Sequence, residues 1–168
     1  MTPASDTVRR LDPDPRVVTV LDRRAIPHRV VRHAELEGTV GSALDVARLL
    51  EIGPDRITKT LLVTDRQDHF GLVVVPVLSR VEFAAVSGRL GWTRATMAPP
   101  AALAAQLGQP VDGVSPLGHH HLPVVVDATL GTGAAVLVGA GTPGVEIMID
   151  PQALLTATGA ICTPVARR

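Results

Sequence analysis

Of the sixteen basic residues in this chain, fifteen are arginine and one is lysine, Lys59. Arginine is a rigid planar fork, whereas lysine is a compact point charge on a flexible stem that can be tuned by its surroundings. A sequence that uses arginine wherever a generic positive charge suffices makes its single lysine the first candidate for chemistry. The bland alternative is a solvated charge at the start of a strand. A second candidate is the glycine-bracketed loop Asp112, Gly113, Val114, Ser115, Pro116, Leu117, Gly118. A serine nucleophile on a sharp turn needs glycine two residues later and the N–H of the next residue as an oxyanion donor. Here glycine comes three residues after Ser115, and the next residue is Pro116, which has no N–H. Ser115 is therefore a poor nucleophile. The loop suits a ligand approaching the backbone closely, or else it is an ordinary Gly-Pro turn.

The remaining chemical groups weigh less. His119, His120 and His121 are consecutive, so on an extended chain they point to alternate faces and do not share one metal ion. No metal and no cofactor is expected. Gly139 and Gly141, followed by Pro143 and Gly144, lack the lysine and helix of a phosphate-binding loop and read as a tight hairpin. Glu146 is a charge inside an apolar strand, a placement that usually faces solvent. Cys162 is the sole cysteine and has no intramolecular partner, which fits a reducing compartment.

The elements that would position these groups follow from apolar spacing. Helices are predicted over residues 17–25, 39–50, 81–90 and 100–107, and after the Asp150-Pro151 start to Gly159. Ser42 and Asp45 have the spacing of a capping box. Strands are predicted over 28–31, 59–64, 70–78, 122–127, 134–141 and 144–150. The run 70–78 is apolar on both faces, as in a fully buried strand. The fold class is α/β, a mixed β-sheet with flanking helices. Residues 1–15 read as a flexible leader, 16–160 as the domain and 161–168 as a tail.

Composition narrows the function. Formal net charge is zero, so no global basic field draws in nucleic acid, and DNA is not an expected partner. Two Phe, one Trp and no Tyr leave too few aromatics for a base-stacking platform. The N-terminus has no secretory h-region and no apolar run approaches a bilayer span, so no membrane partner and a cytoplasmic location are expected.

Taken together, Ile57 to Val63 with Lys59-Thr60-Leu61 inside it, then Gly113 to Gly118, then Leu122-Pro123 and Val126-Asp127, resemble the YbaK/EbsC family. The resemblance runs from about Arg16 to Gly159. It implies the fold of the YbaK and prolyl-tRNA synthetase-associated editing domain, and hydrolysis of the ester that joins a wrong amino acid to the 3′ end of tRNA. It places the essential lysine on Lys59, next to Thr60. The substrate pocket falls on Gly113, Ser115, Pro116 and Gly118, the later glycine turn on Gly139 and Gly141, and an acidic position on Glu146. Implied partners are the 3′ acceptor end of mischarged tRNA and a prolyl-tRNA synthetase complex.

This chain departs from the family at Asp112, where many members have a second glycine, and at His33, where cysteinyl-tRNA-clearing members have an aromatic. It also has His119 to His121 where those members are basic. These positions touch the pocket or its rim, so they bear on which amino acid is removed. A non-catalytic aminoacyl-tRNA or nucleotide-binding module of the same fold is the alternative, and a serine or thiol hydrolase is a distant third. On the pocket reading, backbone N–H groups of the glycine loop hold the oxyanion, and the loop tolerates bulk at Gly113 with little loss of stability.

Overall fold

The computed structural model describes residues 10–168. Its central hairpin is built from β2 (Thr58–Thr64) and β3 (Phe70–Pro76), paired antiparallel from Thr58↔Pro76 to Thr64↔Phe70. Asp65 closes the turn between them, its carboxylate accepting from the backbone N–H groups of Gln67 and His69. Two parallel strands, β6 (Val124–Asp127) and β9 (Ile161–Thr163), extend the sheet beyond β3. On the opposite side β5 (Thr96–Met97) pairs with Val63 and Thr64 alone. The result is a mixed sheet in the order β5-β2-β3-β6-β9.

A second, antiparallel sheet joins β1 (His28–Arg32), β7 (Val136–Gly139) and β8 (Val145–Ile149), with β8 in the middle. The sheets meet at one seam. Ile57 bridges Leu137 in parallel, and the Thr58 hydroxyl donates to the Leu137 carbonyl at 2.8 Å. Among the described residues no further bridge joins β2 to β7. Short β4 (Arg80–Val81) pairs with β10 (Ala166–Arg167).

Alternation along β2, β3 and β6 divides the core. Leu62, Leu72, Val74, Val124 and Val126 face α1 (Pro15–Arg23), β7, β8 and α5 (Pro151–Thr158). Val63, Val73, Val75 and Val125 face Val81, Val86 of α3 (Phe83–Leu90) and Val165. Because β3 is buried on both sides, its sequence is a continuous apolar run. A smaller cluster packs Val46 and Ala47 of α2 (Ala43–Leu49) on Val31, Ile57 and Leu137.

Caps set several boundaries. Ser42 and Asp45 form both halves of a capping box, so α2 begins at Ala43, and residues 39–41 lie outside the helix predicted there. Asp150 caps α5, which ends at Gly159 in the left-handed conformation. Val81, predicted to open a helix, is instead extended and, with Arg80, paired with the C-terminal residues. The short helix α4 (Pro100–Gln106) starts behind Pro99 as the sequence indicates.

The two ends of the chain differ from the expectation of leader and tail. Residues 1–9 of the predicted leader lie outside the described residues. Residues 11–14 pack on the body: the Arg32 side chain donates to the Leu11 carbonyl, Thr142 to that of Asp12, and Asp14 donates its N–H to Ala140. Residues 161–168 supply β9 and β10, and Val165 is fully buried. The Asp127 carboxylate accepts from the N–H groups of Val165 and Ala166 at 2.9 Å and from Thr129. Burial pushes this carboxyl up, but the hydrogen bonds from Thr129, Val165 and Ala166 outweigh it and hold the pKa below the usual carboxylate value. A depressed folded pKa stabilises the fold above the ordinary carboxylate pKa, and that stability is lost as pH falls through the folded value. Chemical denaturation should therefore show Asp127→Ala less stable by roughly 3 kcal/mol near neutral pH. The difference from wild type should shrink in acid.

Candidate active site

The site forms where β2 is left without a neighbour. The Ala98 N–H donates to the Leu62 carbonyl, and the Val77 N–H donates to the Ile57 carbonyl. Peptide groups alternate along an antiparallel strand, so the odd-numbered residues of β2 bond to β3 and the even-numbered ones face the other edge. Since β5 reaches only Val63 and Thr64, the N–H and C=O of Thr60 are directed out of an open edge. A cavity of about 210 Å³ lies there, lined by Thr58, Lys59, Thr60 and Leu61 of β2, by Val111, Asp112 and Val114, by Gly139 at the end of β7, and by Glu146 of β8. An apolar recess of about 110 Å³ adjoins it, sharing Thr60, Leu61, Val111 and Val114 and adding Leu62, Met97, Ala98, Pro100 and Leu103. Thr60 is nine-tenths buried, and its hydroxyl has no hydrogen-bond partner.

The cavity holds one cation and two carboxylates. Lys59 is partly buried and Asp112 is exposed at the rim. Glu146 sits opposite Val31 of β1 and Gly139 of β7. Although its strand position suggested a solvent-facing charge, it is largely covered. His33 Nε2 lies 2.8 Å from its carboxylate, and the His33 N–H is anchored on the Gly144 carbonyl. Burial pushes the Glu146 carboxyl up, while the His33 contact pulls it back down, and burial wins.

The loop wall is pressed onto the second sheet. A Cβ at Gly139 would lie 2.2 Å from the Val114 carbonyl oxygen, and one at Gly113 would lie 2.9 Å from the Pro143 nitrogen. These glycines let the protein's own backbone segments approach each other, which the ligand-approach reading did not foresee. Three of the loop's N–H groups are also committed: Gly113 donates to the Pro110 carbonyl, Ser115 to the Gln109 side chain, and Leu117 to the Ser115 hydroxyl. None of these three is free for an oxyanion, and Pro116 has no N–H at all.

The structure thus brings Lys59, Thr60, Asp112, Gly139 and Glu146 together around one cavity, with His33 behind Glu146. Ser115 and Pro116 are buried behind the wall with Gly113. Gly118 packs on the Arg16 backbone and Gly141 on Asp14, away from the lining. His119 is buried while His120 and His121 are exposed, and the His119 and His121 rings meet edge to face with centroids 6.3 Å apart. Among the described residues no group of three His, Cys, Asp or Glu could hold a metal. The sequence reading missed Leu61 and Val114 as lining, although both lie inside its motifs, because their side chains are apolar; Val111 and the buried support Gln109 carry neither a motif nor a charge.

The model of the aminoacyl-tRNA editing domain matches residues 37–157, and the chain belongs to that family. Among solved structures it is similar to hypothetical protein APE2540, with 25% identity and a TM-score of 0.79, covering 90% of this chain and 99% of that one. It also shares the fold of a protein described as "a putative trans-editing enzyme for prolyl tRNA synthetase" (24% identity, TM-score 0.79, covering 94% of this chain and 100% of that one). No helix among the described residues is long and apolar enough to cross a membrane.

The packing of the wall has a direct consequence for stability. Both Gly139→Ala and Gly113→Val force atoms onto backbone that cannot rotate away, and each is expected to cost about 1–3 kcal/mol. Thermal denaturation checks this, and it reverses the expectation that Gly113 tolerates bulk.

Proposed function

We propose that this protein hydrolyses the ester of mischarged aminoacyl-tRNA carrying a small amino acid such as cysteine or alanine, with proline tRNA among its substrates. The observation that carries this is the single lysine beside the open edge of β2, lining with two carboxylates a cavity of about 210 Å³. That volume admits a small aminoacyl group and part of a ribose. The adjoining recess is aliphatic apart from Thr60 and suits a short side chain.

An aminoacyl ester is already activated, so the site has to orient it, stabilise charge on its carbonyl oxygen and admit water. Lys59 is the cation for the terminal ribose and phosphate. The outward Thr60 N–H is the donor for the developing oxyanion, taking the part first given to the glycine loop. Glu146 and Asp112 attract the substrate's α-ammonium group. Water adds to the carbonyl carbon, the C–O bond to the ribose breaks, and the ribose oxygen leaves with a proton as the amino acid is released. A second sieve of this kind is needed because a synthetase distinguishes one methylene by only about 1–3 kcal/mol.

Incubation of the pure protein with alanyl-, cysteinyl-, seryl- and threonyl-tRNA should release a small amino acid. Lys59→Ala should reduce the rate at least about a hundredfold with the fold intact, and Lys59→Arg should not restore it, because a fork does not replace a point charge. Binding of every charged tRNA without release from any would establish the binding-module alternative.

The buried Glu146 adds a pH signature. Its raised pKa means that protonation begins above the pH at which an ordinary glutamate protonates. Deacylation should therefore decline early on the acid side through a rise in KM, and Glu146→Gln should flatten that limb while raising KM throughout. A steady-state pH profile of wild type and variant reads both effects.

A further inference from the structure

Behind the loop wall a single buried carboxamide ties together segments remote in sequence. Gln109 is 3% exposed. Its Nε2 donates to the Asp14 carboxylate at 3.0 Å, and its Oε1 accepts from the Ser115 N–H at 3.0 Å. His119 Nε2 lies 3.2 Å from the same oxygen. The amide orientation is fixed by its partners, since the flipped form would set NH₂ against the Ser115 N–H and oxygen against a carboxylate. His119 must then carry its proton on Nε2. Burial, with Arg16 nearby, lowers the His119 pKa to about 4 and keeps the ring neutral.

Asp14 completes the joint. It caps α1, takes the Arg16 guanidinium at 2.8 Å and donates its own N–H to Ala140 just past β7. The hydrogen bond from Arg16 holds its carboxyl at about 2, so it is an acceptor throughout the working range. A Cβ at Gly141 would lie 2.6 Å from Gln109 Nε2, so this space admits little rearrangement.

We propose that Gln109 is a positioning residue of the Lys59 cavity: through the Ser115 N–H it fixes the 112–114 wall relative to β7 and Glu146. This rests on the deacylase reading for its catalytic consequence and on geometry alone for its effect on the loop. Glutamine suits the position because one arm must donate to a carboxylate while the other accepts from two N–H groups. Glutamate has the same shape but sets a second carboxylate against Asp14. Changing Asp14 to asparagine at the same time returns a donor to the pair with its polarity reversed. The Asn oxygen keeps the Arg16 N–H and Nε bonds, and Arg16 Nη2, which shared the replaced oxygen, is exposed enough to turn to solvent.

Amide hydrogen exchange and steady-state deacylation should be measured on wild type, Gln109→Glu and the double variant Asp14→Asn/Gln109→Glu. Exchange at residues 113–117 should accelerate at least about tenfold in Gln109→Glu. Its kcat should fall on the order of tenfold to a hundredfold with KM little changed, as expected when reacting groups shift by about an ångström. The double variant should recover most of both. Unchanged loop exchange and kcat in folded Gln109→Glu would overturn the inference, as would a double variant whose loop still exchanges fast. If Gln109→Glu does not fold, the double variant alone decides by the same criterion. A wild-type protein that deacylates nothing overturns the proposed function, while the exchange comparison still decides whether Gln109 holds the wall.

Discussion

The site depends on one close approach, that of the Val114 carbonyl to the Cα of Gly139. An added Cβ there would lie 2.2 Å from that oxygen, a separation no side chain permits. The contact brings the loop at 111–114 onto the cavity lined by β2 and the end of β7, past the Ile57–Leu137 bridge. Without it the open edge of β2 would face solvent, and Lys59 would be an ordinary strand charge. With it, three elements from different parts of the chain enclose one cavity.

The electrostatics follow from that enclosure. Lys59 shares the lining with two carboxylates, Asp112 and Glu146, so the cavity carries both signs of charge and is not an anion trap. Glu146 is buried enough to raise its pKa, yet His33 supports its ionised form. Groups of both signs on one lining suit a ligand with a cationic end and an anionic end. The wider cleft of about 650 Å³ beside Leu78 is lined mostly by apolar surface, with Asp55, Arg167 and Arg168 also on it, and its buried carboxylate, Asp127, is already hydrogen-bonded within the fold.

Much of this was legible in the sequence. The run Phe70–Pro76 announced a strand buried on both faces, Ser42 and Asp45 announced their capping box, and the isolated lysine pointed to the cavity. What stayed hidden depends on contacts between remote residues. The glycines at 113 and 139 were visible as glycines, but only the folded chain shows that each accommodates protein backbone. Gln109, between a glycine and a proline, has no periodicity or motif around it, and its role exists only because Asp14, Ser115 and His119 converge there. The C-terminal residues read as a tail because two strands of two or three residues are too short to show alternation.

The central claim is that the aminoacyl end of tRNA sits between the open edge of β2 and the loop at 112–114. A titration of ¹⁵N-labelled protein with a 3′-aminoacylamino analogue of adenosine, in which an amide replaces the ester, tests it most directly. The account predicts the largest amide shifts at Thr60, Asp112, Val114 and Glu146, with those around Asp127 and Arg167 unmoved. Shifts centred on the Asp127 cleft, with Thr60 and Glu146 undisturbed at saturation, would contradict it.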